Sequence, residues 1–211
     1  MSIRVLLADD HTVIRDGLTT LIETGAAATV VAAVANGRDA VEAAARLKPD
    51  VVVMDISMPD LNGIEATLLI HERCPGTQIV ILSMHSSQEQ VHRAFAAGAI
   101  GYVLKDAAGT EVLAAVRAAA GGRRYISRAI GDFTIEDGAA ATGPLASLSS
   151  RERQVLQLVV EGKTSAEIAV LVHLSPKTVE TYRSRLMKKL GVADVPALVK
   201  FAIQHGITAL D

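Results

Sequence analysis

The sequence is poor in cysteine and in aromatic residues. It has one cysteine, Cys74, and no tryptophan, and aromatic residues make up only 3% of its 211 residues. A single cysteine excludes an intramolecular disulfide and is typical of proteins from a reducing compartment. The 50% hydrophobic content allows a substantial core, which has to be mostly aliphatic because so few aromatic rings are present.

Long apolar runs and a targeting segment are also lacking. The longest apolar run, AAATVVAAVA around Val30, is interrupted by Thr29 and is far shorter than the ~20 residues that span a bilayer. The first residues have no basic start followed by an apolar stretch and a small-residue cleavage site, as a signal peptide does. We therefore expect a soluble, cytoplasmic protein with no membrane partner.

The charge is nearly balanced overall but uneven along the chain. The net charge of −2 is the sum of −5 for residues 1–147 (12 basic, 17 acidic) and +3 for residues 148–211 (9 basic, 6 acidic). An acidic part joined to a basic part suggests two modules, one facing cations and the other facing an anionic partner.

Short apolar runs alternate with amphipathic segments through residues 1–124, which we assign to the first domain. Five runs predict strands: IRVLLA (3–8), TVVAAV (29–34), DVVVMD (50–55), QIVILS (78–83) and IGYVL (100–104). The segments that follow them have apolar residues at three- and four-residue spacing, which is typical of helices. The alternation predicts an α/β fold with a five-stranded, doubly wound parallel sheet and helices on both faces.

The periodicity fades over residues 125–147. This segment is rich in Gly, Ala, Ser and Thr and contains Pro144, so we predict a linker, with a short helix near Arg128.

Residues 148–211 are predicted to form an all-α domain of four helices, at 149–161, 164–171, 175–190 and 194–205. The start signals are strong. Ser149 and Thr164 each precede a glutamate by three residues, as in a capping box. Ser175 precedes a proline that suits the first position of a helix.

Acidic residues end two of the predicted strands. Asp9 and Asp10 follow the first strand and Asp55 ends the third; in a sheet of order 2-1-3-4-5 these strands are neighbours, at the edge where open α/β sheets bind ligands. Three clustered carboxylates repel one another unless a cation lies among them, and such a site suits Mg²⁺. Ser83 and Lys105, at the ends of the fourth and fifth strands, add a hydroxyl and an ammonium group. This set, the acidic rim, predicts a metal-assisted phosphoacceptor site.

The third helix of the second domain is basic. It follows TSAEIAVLVHL after a tight turn at Ser175, and apolar residues of the two helices can share a core: Ile168, Ala169, Leu171, Val179, Leu186 and Leu190. Its charges sum to +4, from Lys177, Arg183, Arg185, Lys188 and Lys189 against Glu180. A basic helix after a helix and a tight turn predicts insertion into the major groove of DNA. A solvated amphipathic helix is the plainer alternative.

These segments resemble a known family. LLADDHTVIRDGL, VVVMDISMPDLNGIEA, ILSMHS and GAIGYVLKDA are similar, in order and spacing, to the signature segments of response-regulator receiver domains, whose fold is flavodoxin-like. From Leu148 onward, LSSRERQVLQLVVEGKTSAEIAVLVHLSPKTVETYRSRLMKKLGV is similar to the LuxR-type helix-turn-helix. Over nearly the whole chain the architecture resembles the NarL/FixJ family of two-component response regulators.

The resemblance implies a role for each residue of the acidic rim. Asp55 would accept a phosphoryl group from the phosphohistidine of a sensor histidine kinase. Asp10 would bind Mg²⁺ directly and Asp9 largely through water, and Asp55 and the backbone carbonyl of Ser57 would complete the protein ligands. Gly63 would shape the loop and the start of the helix below the site.

The resemblance also implies a switch. Ser83 would bond to the phosphoryl group, Lys105 would pair with it, and Tyr102 would turn inward as Ser83 moves. The nearby histidines His11 and His85 could act as metal ligands or acid–base groups, but we interpret them as rim residues without a chemical role.

For the second domain the resemblance implies a DNA interface. Glu180, Thr181 and Ser184 would face base edges. The remaining DNA-binding candidates are those expected at or near phosphates: Lys163, Lys177, Thr178, Arg183 and Lys188. Glu180 departs from the lysine common in relatives at that position, and glutamate can accept a hydrogen bond from cytosine N4.

The last helix, DVPALVKFAIQHG, is predicted to expose Val195, Leu198 and Ala202, and in the family this helix serves dimerisation. A two-fold dimer requires half-sites about one helical turn of DNA apart.

The predicted function is a two-component response regulator. Mg²⁺-dependent phosphorylation of Asp55 by a histidine kinase would control homodimerisation and sequence-specific binding to double-stranded DNA, with RNA polymerase left open as a further partner. We expect no enzymatic activity beyond self-phosphoryl transfer and slow self-dephosphorylation. Haloacid-dehalogenase-type phosphatases need a second aspartate where this chain has Ser57. A DNA-binding regulator of the same architecture, controlled independently of phosphorylation, is the alternative.

Overall fold

The structure is a computed structural model that describes residues 2–24, 27–131, 144–205 and 207. The chain divides into two units, residues 1–139 and 140–211. Strands and helices alternate in the first unit: β1 (Ile3–Ala8), α1 (Thr12–Thr24), β2 (Ala28–Val34), α2 (Gly37–Leu47), β3 (Val51–Asp55), α3 (Gly63–Arg73), β4 (Gln78–Ser83), α4 (Gln88–Ala96), β5 (Gly101–Leu104), α5 (Ala108–Ala120) and β6 (Tyr125–Ile126). The predicted fold class, an α/β unit followed by a helical one, is confirmed.

The strands form one parallel sheet of order β2-β1-β3-β4-β5-β6. The order predicted for the first five strands is confirmed, but the predicted number of strands is one too low. The extra strand, β6, lies in the segment assigned to the linker. It is too short for a period-two pattern to show, and backbone pairing alone defines it: Tyr125 N donates to Ile100 O at 3.1 Å and Ser127 N to Tyr102 O at 2.8 Å.

The side chain of Glu111 on α5 forms hydrogen bonds with the residues that follow β6. Its carboxylate accepts hydrogen bonds from the Ser127 hydroxyl and, at 3.4 Å, from the backbone N–H of Arg128. A single 3₁₀ turn, Arg128–Ile130, comes next, in agreement with the short helix predicted near Arg128. Residues 132–143 of the predicted linker lie outside the described residues.

Successive residues of the central strands point to opposite faces of the sheet and build two cores. Leu6 and Val52 pack with α2, α3 and α4 on one face. Val5 and Val53 pack with α1 and α5 on the other. In the part of the chain that the structure describes, Tyr102 is the one aromatic side chain that is fully buried, so the cores are aliphatic, as the composition predicts.

The second unit consists of four helices, α6 (Ser150–Val160), α7 (Ser165–Val172), α8 (Pro176–Leu190) and α9 (Val195–Gln204), preceded by a 3₁₀ turn at Pro144–Ser147. All four match the predicted helices to within about two residues at each end. Both predicted capping boxes are formed, at Ser149 and at Thr164, and the Ser175 hydroxyl caps α8. Among the described residues, no helix has the length and apolarity that crossing a bilayer requires.

The prediction that α9 exposes Leu198 and Ala202 is wrong. Their side chains are 1% and 0% exposed and belong to the core that α6, α7, α8 and α9 share. The two residues are four positions apart, so they lie on the same face of the helix, and that face packs inward. Val195 is 36% exposed, which leaves it as the one member of the predicted dimerisation set at the surface.

Candidate functional site

Asp9, Asp55 and Lys105 meet at the carboxyl ends of β1, β3 and β5. Parallel pairing of Ala8 with Met54 places Asp9 beside Asp55. Lys105 Nζ lies 2.9 Å from Asp9 Oδ2 and 2.9 Å from Asp55 Oδ2, and the three side chains are at most 6% exposed. The structure therefore brings together the nucleophile, one acid of the Asp9–Asp10 pair and the lysine that the sequence predicts at this edge.

Burial and charge set the protonation of this group. Burial raises the pKa of Asp55 above its ordinary value of 3.8, and the Lys105 ammonium opposes that rise only in part. Burial acts to lower the pKa of Lys105, but the carboxylates of Asp55 and Asp9 outweigh it, so that pKa lies above its ordinary 10.5. Lys105 is therefore a fixed cation, and Asp55 is a carboxylate whose charge is costly to keep unneutralised.

The acidic rim suits a divalent cation. Oxygen atoms of Asp9, Asp10 and Asp55, together with a nitrogen of His11, lie within 4.8 Å of one another. Three carboxylates against one lysine leave two negative charges, and carboxylate oxygens are the ligands that Mg²⁺ prefers. Ser57, two residues beyond Asp55, is half-buried in the loop after β3. The residues present therefore fit the predicted metal.

Two further side chains contact the acidic rim: His11, which the sequence analysis placed there without a chemical role, and Arg15, which it did not single out. His11 Nδ1 lies 2.9 Å from Asp10 Oδ1 and 3.3 Å from Asp9 Oδ1, and its backbone N–H donates to Asp9 Oδ1 at 2.9 Å. Arg15 Nη1 donates to the backbone carbonyl of Asp9 at 2.6 Å. The position of His11 directly after the acidic pair indicates that it lies near the rim, whereas nothing in the sequence pattern indicates a contact of Arg15 with Asp9.

Ser83 of the acidic rim forms a hydrogen-bonded group with His85 and Tyr102. Ser83 ends β4 and is 1% exposed, and its hydroxyl oxygen accepts from the backbone N–H of His85 at 3.0 Å. Tyr102 is turned inward, and its hydroxyl donates to the backbone carbonyl of His85 at 2.8 Å. Burial raises the pKa of Tyr102 to about 12. The two predicted switch residues are thus connected through the backbone of His85.

The start of α3 touches the backbone of Asp55. A Cβ on Gly63 would lie 1.9 Å from the carbonyl oxygen of Asp55, so only glycine fits there. Gly63 N also donates to the Ile56 carbonyl at 2.9 Å, and the Asn62 side chain caps the helix by accepting from Glu65 N. The loop below Asp55 is therefore held close to it, as predicted for Gly63.

In the second unit, α7 and α8 form a helix-turn-helix, since three residues separate Val172 from Pro176. Val179 and Leu186 face the core. The opposite side of α8, its exposed face, carries charged and polar side chains: Lys177, Glu180, Thr181, Ser184, Arg185 and Lys188. Of the other DNA-binding candidates, Thr178 and Arg183 are partly buried on α8, and Lys163 lies before α7.

Lys189 does not belong to the exposed face of α8. Its ammonium donates to the Ser147 carbonyl at 3.0 Å and to Glu152 Oε2 at 2.7 Å. Burial acts to raise the pKa of Glu152, but hydrogen bonds from Lys189 and Ser149 outweigh it and leave the pKa below its ordinary value of 4.5. One of the five cations counted on this helix therefore neutralises the capping box of α6.

Models of two protein families match the chain. The model of the response regulator receiver domain matches residues 5–117. The model of the bacterial regulatory proteins of the luxR family matches residues 146–202.

Curated relatives match over nearly their full length. The transcriptional regulatory protein MctR of Rhizobium johnstonii is 36% identical over 211 residues, which is 98% of this chain and 96% of that protein. The response regulator UvrY of Escherichia coli is 36% identical over 208 residues, 97% of this chain and 95% of that protein. The oxygen regulatory protein NreC of Staphylococcus aureus is 35% identical over 210 residues, with coverages of 95% and 97%.

Solved structures are similar as well. A LuxR-family response regulator from Aurantimonas has a TM-score of 0.60 and 37% identity, and the match covers 63% of this chain and 95% of that one. A structure of two RcsB dimers bound to two parallel DNAs has a TM-score of 0.59 and 26% identity, with coverages of 95% and 98%.

Proposed function

Because this chain belongs to the NarL/FixJ family of two-component response regulators, which control transcription, we propose that phosphoryl transfer to Asp55 sets its activity. The observation that carries the proposal is the placement of the Lys105 ammonium 2.9 Å from both Asp9 and Asp55. A buried carboxylate held by a fixed cation is a nucleophile whose negative charge, and that of an incoming phosphoryl group, can be neutralised.

In the proposed step an oxygen of Asp55 attacks the phosphorus of a phosphohistidine on the partner kinase. A P–O bond forms, the P–N bond breaks, and the electron pair leaves on the imidazole nitrogen. Lys105 then pairs with a phosphoryl oxygen. Mg²⁺ held by Asp9, Asp10, Asp55 and the Ser57 carbonyl would supply charge neutralisation for that group.

The signal would leave the site through Ser83 and Tyr102. The Ser83 oxygen accepts a hydrogen bond from His85 N, so a Ser83 hydroxyl that turns to donate its own hydrogen to a phosphoryl oxygen displaces this acceptor and shifts His85. Since the Tyr102 hydroxyl holds the carbonyl of the same residue, a shift of His85 changes the environment of Tyr102. The phosphoryl group on Asp55 would then shift the equilibrium between two arrangements of Ser83, His85 and Tyr102, because it interacts more favourably with one of them.

The output would be DNA binding through α8 as a homodimer. The exposed face of α8 carries Lys177, Arg185 and Lys188, whose charge suits DNA phosphates. The structure of RcsB dimers on DNA, a protein of similar fold and 26% identity, supports a dimer as the binding form. We further propose that the chain has no turnover of external substrates, because Ser57 cannot serve as the acid–base group of a phosphatase.

The test is intact mass spectrometry after incubation with acetyl phosphate, with and without Mg²⁺, on the unmodified chain and on Asp55→Asn. We expect one added phosphoryl group that requires both Asp55 and Mg²⁺. Dimerisation and operator binding are then measured on both forms. Absence of any modification, together with specific DNA binding by the untreated protein, would instead support a regulator controlled independently of phosphorylation.

A further inference from the structure

A polar cluster joins the two helices of the helix-turn-helix. Ser165 begins α7, and its hydroxyl donates to Oε1 of Glu180 on α8. The same hydroxyl oxygen accepts from Nη1 of Arg183 at 3.0 Å, and that nitrogen lies 3.9 Å from Glu180 Oε1. One serine therefore fixes both a carboxylate and a guanidinium of α8.

Glu180 is placed where a DNA-reading side chain belongs. It is the only acidic residue of α8, it lies in the second turn, and 62% of its side chain is exposed. The first turns of the second helix are the part of a helix-turn-helix that contacts base edges. Within the described residues, Glu180 is bonded through Oε1 alone, so Oε2 is left to accept a hydrogen bond from a ligand.

A carboxylate in the major groove discriminates between bases by electrostatic repulsion as well as by attraction. Guanine presents two acceptors there, thymine presents a carbonyl, and adenine presents N7 beside its amino group, whereas cytosine presents the N4 amino donor. A group that can only accept hydrogen bonds is repelled by the acceptors and satisfied by the donor. The discrimination requires that the carboxylate stay in place, since a mobile side chain would turn to solvent instead.

We propose that Glu180 selects cytosine at one position of each DNA half-site, and that Ser165 is the positioning residue that holds the Glu180 carboxylate toward that base. Arg183, on the same serine, offsets part of the repulsion between the carboxylate and the DNA phosphates. The proposal rests on the proposed DNA-binding function and adds to it the chemistry of one base pair.

The test is selection from random-sequence duplexes with the full-length phosphorylated chain, followed by Kd measurement on the four duplexes that vary the selected position. We expect cytosine to be preferred by about 10-fold, which is within the range for one good base contact. Ser165→Ala should reduce that preference while circular dichroism stays unchanged, because Thr164 still caps α7. Ser165→Thr should keep it, and Glu180→Gln should shift it toward adenine.

Lys188→Gln is the matched control, and it should weaken binding to all four duplexes equally. A cytosine preference that survives in Ser165→Ala, or one that Glu180→Gln leaves in place, overturns the proposal. Failure of the phosphorylation proposal looks different: protein treated with acetyl phosphate and untreated protein would then bind the selected duplex equally well, with the base preference of Glu180 intact.

Discussion

The acidic rim and the exposed face of α8 carry opposite charges and are assembled differently. Asp9, Asp55 and Lys105 lie at the carboxyl ends of three strands that are far apart in sequence, and their side chains are at most 6% exposed. The side chains of α8 come from fifteen consecutive residues and mostly stay in water. Buried charges interact strongly and exposed charges are screened by salt. Removing a charge should therefore disturb folding at the acidic rim, and should disturb mainly binding on α8.

The sharpest contrast is between two lysines. Lys105→Met leaves two buried carboxylates without their cation, and we expect the free energy of unfolding at neutral pH to fall by roughly 3–5 kcal/mol. Added Mg²⁺ should recover part of this loss. Lys188→Met on α8 should change stability by no more than about 0.5 kcal/mol. Urea unfolding of both variants, with and without Mg²⁺, measures the difference; equal losses would contradict the contrast.

Two glycines compare the packing of the rim with that of an exposed position on a helix. Gly63→Ala forces a Cβ to within 1.9 Å of the Asp55 carbonyl oxygen, so we expect a loss of about 1–3 kcal/mol of stability and slower phosphorylation, because Asp55 has to shift. Gly17→Ala in α1 meets no atom within 4 Å and should gain about 0.5–1 kcal/mol. Thermal unfolding and the rate of phosphorylation by acetyl phosphate are the measurements.

Neutralising Asp55 should stabilise the fold. The raised pKa of Asp55 means that the folded chain binds its proton more tightly than the unfolded chain, so ionisation of this carboxyl costs stability as pH rises above its ordinary 3.8. We expect Asp55→Asn to be more stable than the unmodified chain at pH 7 and without Mg²⁺, by on the order of 1 kcal/mol. The gain should vanish toward pH 3.8 and below; a gain that is independent of pH would contradict this cause.

The smallest expected effects distinguish two neighbouring lysines on α8, Lys188 and Lys189. Lys188→Gln should lower the slope of log K against log salt for DNA binding by ~0.9, as expected when one phosphate contact is lost. Lys189→Gln should leave that slope unchanged, because its ammonium holds Glu152 and Ser147. It should cost below about 1 kcal/mol of stability instead. This loss of stability should become smaller in acid, as Glu152 becomes protonated. A change in the salt slope for Lys189→Gln would instead indicate that Lys189 contacts a DNA phosphate.

Much of the molecule could be predicted from local sequence. Apolar runs predicted five strands, and the capping residues Ser149, Thr164 and Ser175 predicted the starts of three helices. Such signals are contained in a few consecutive residues, and the free energy that they contribute depends little on the rest of the fold. The sixth strand has no such signal, because two residues are held only by pairing with β5.

Other features were decided by tertiary packing alone. Leu198 and Ala202 form an apolar stripe that could face either a partner or the core, and in the structure it packs into the core. Lys189 has the same sequence character as Lys188, but only Lys189 reaches Glu152. The sequence by itself determined the first five strands, the α-helices, the residues of the acidic rim and the basic helix, since these depend on residue type and spacing. The structure decided which charges are paired, because pairing depends on distances between segments that the sequence does not contain.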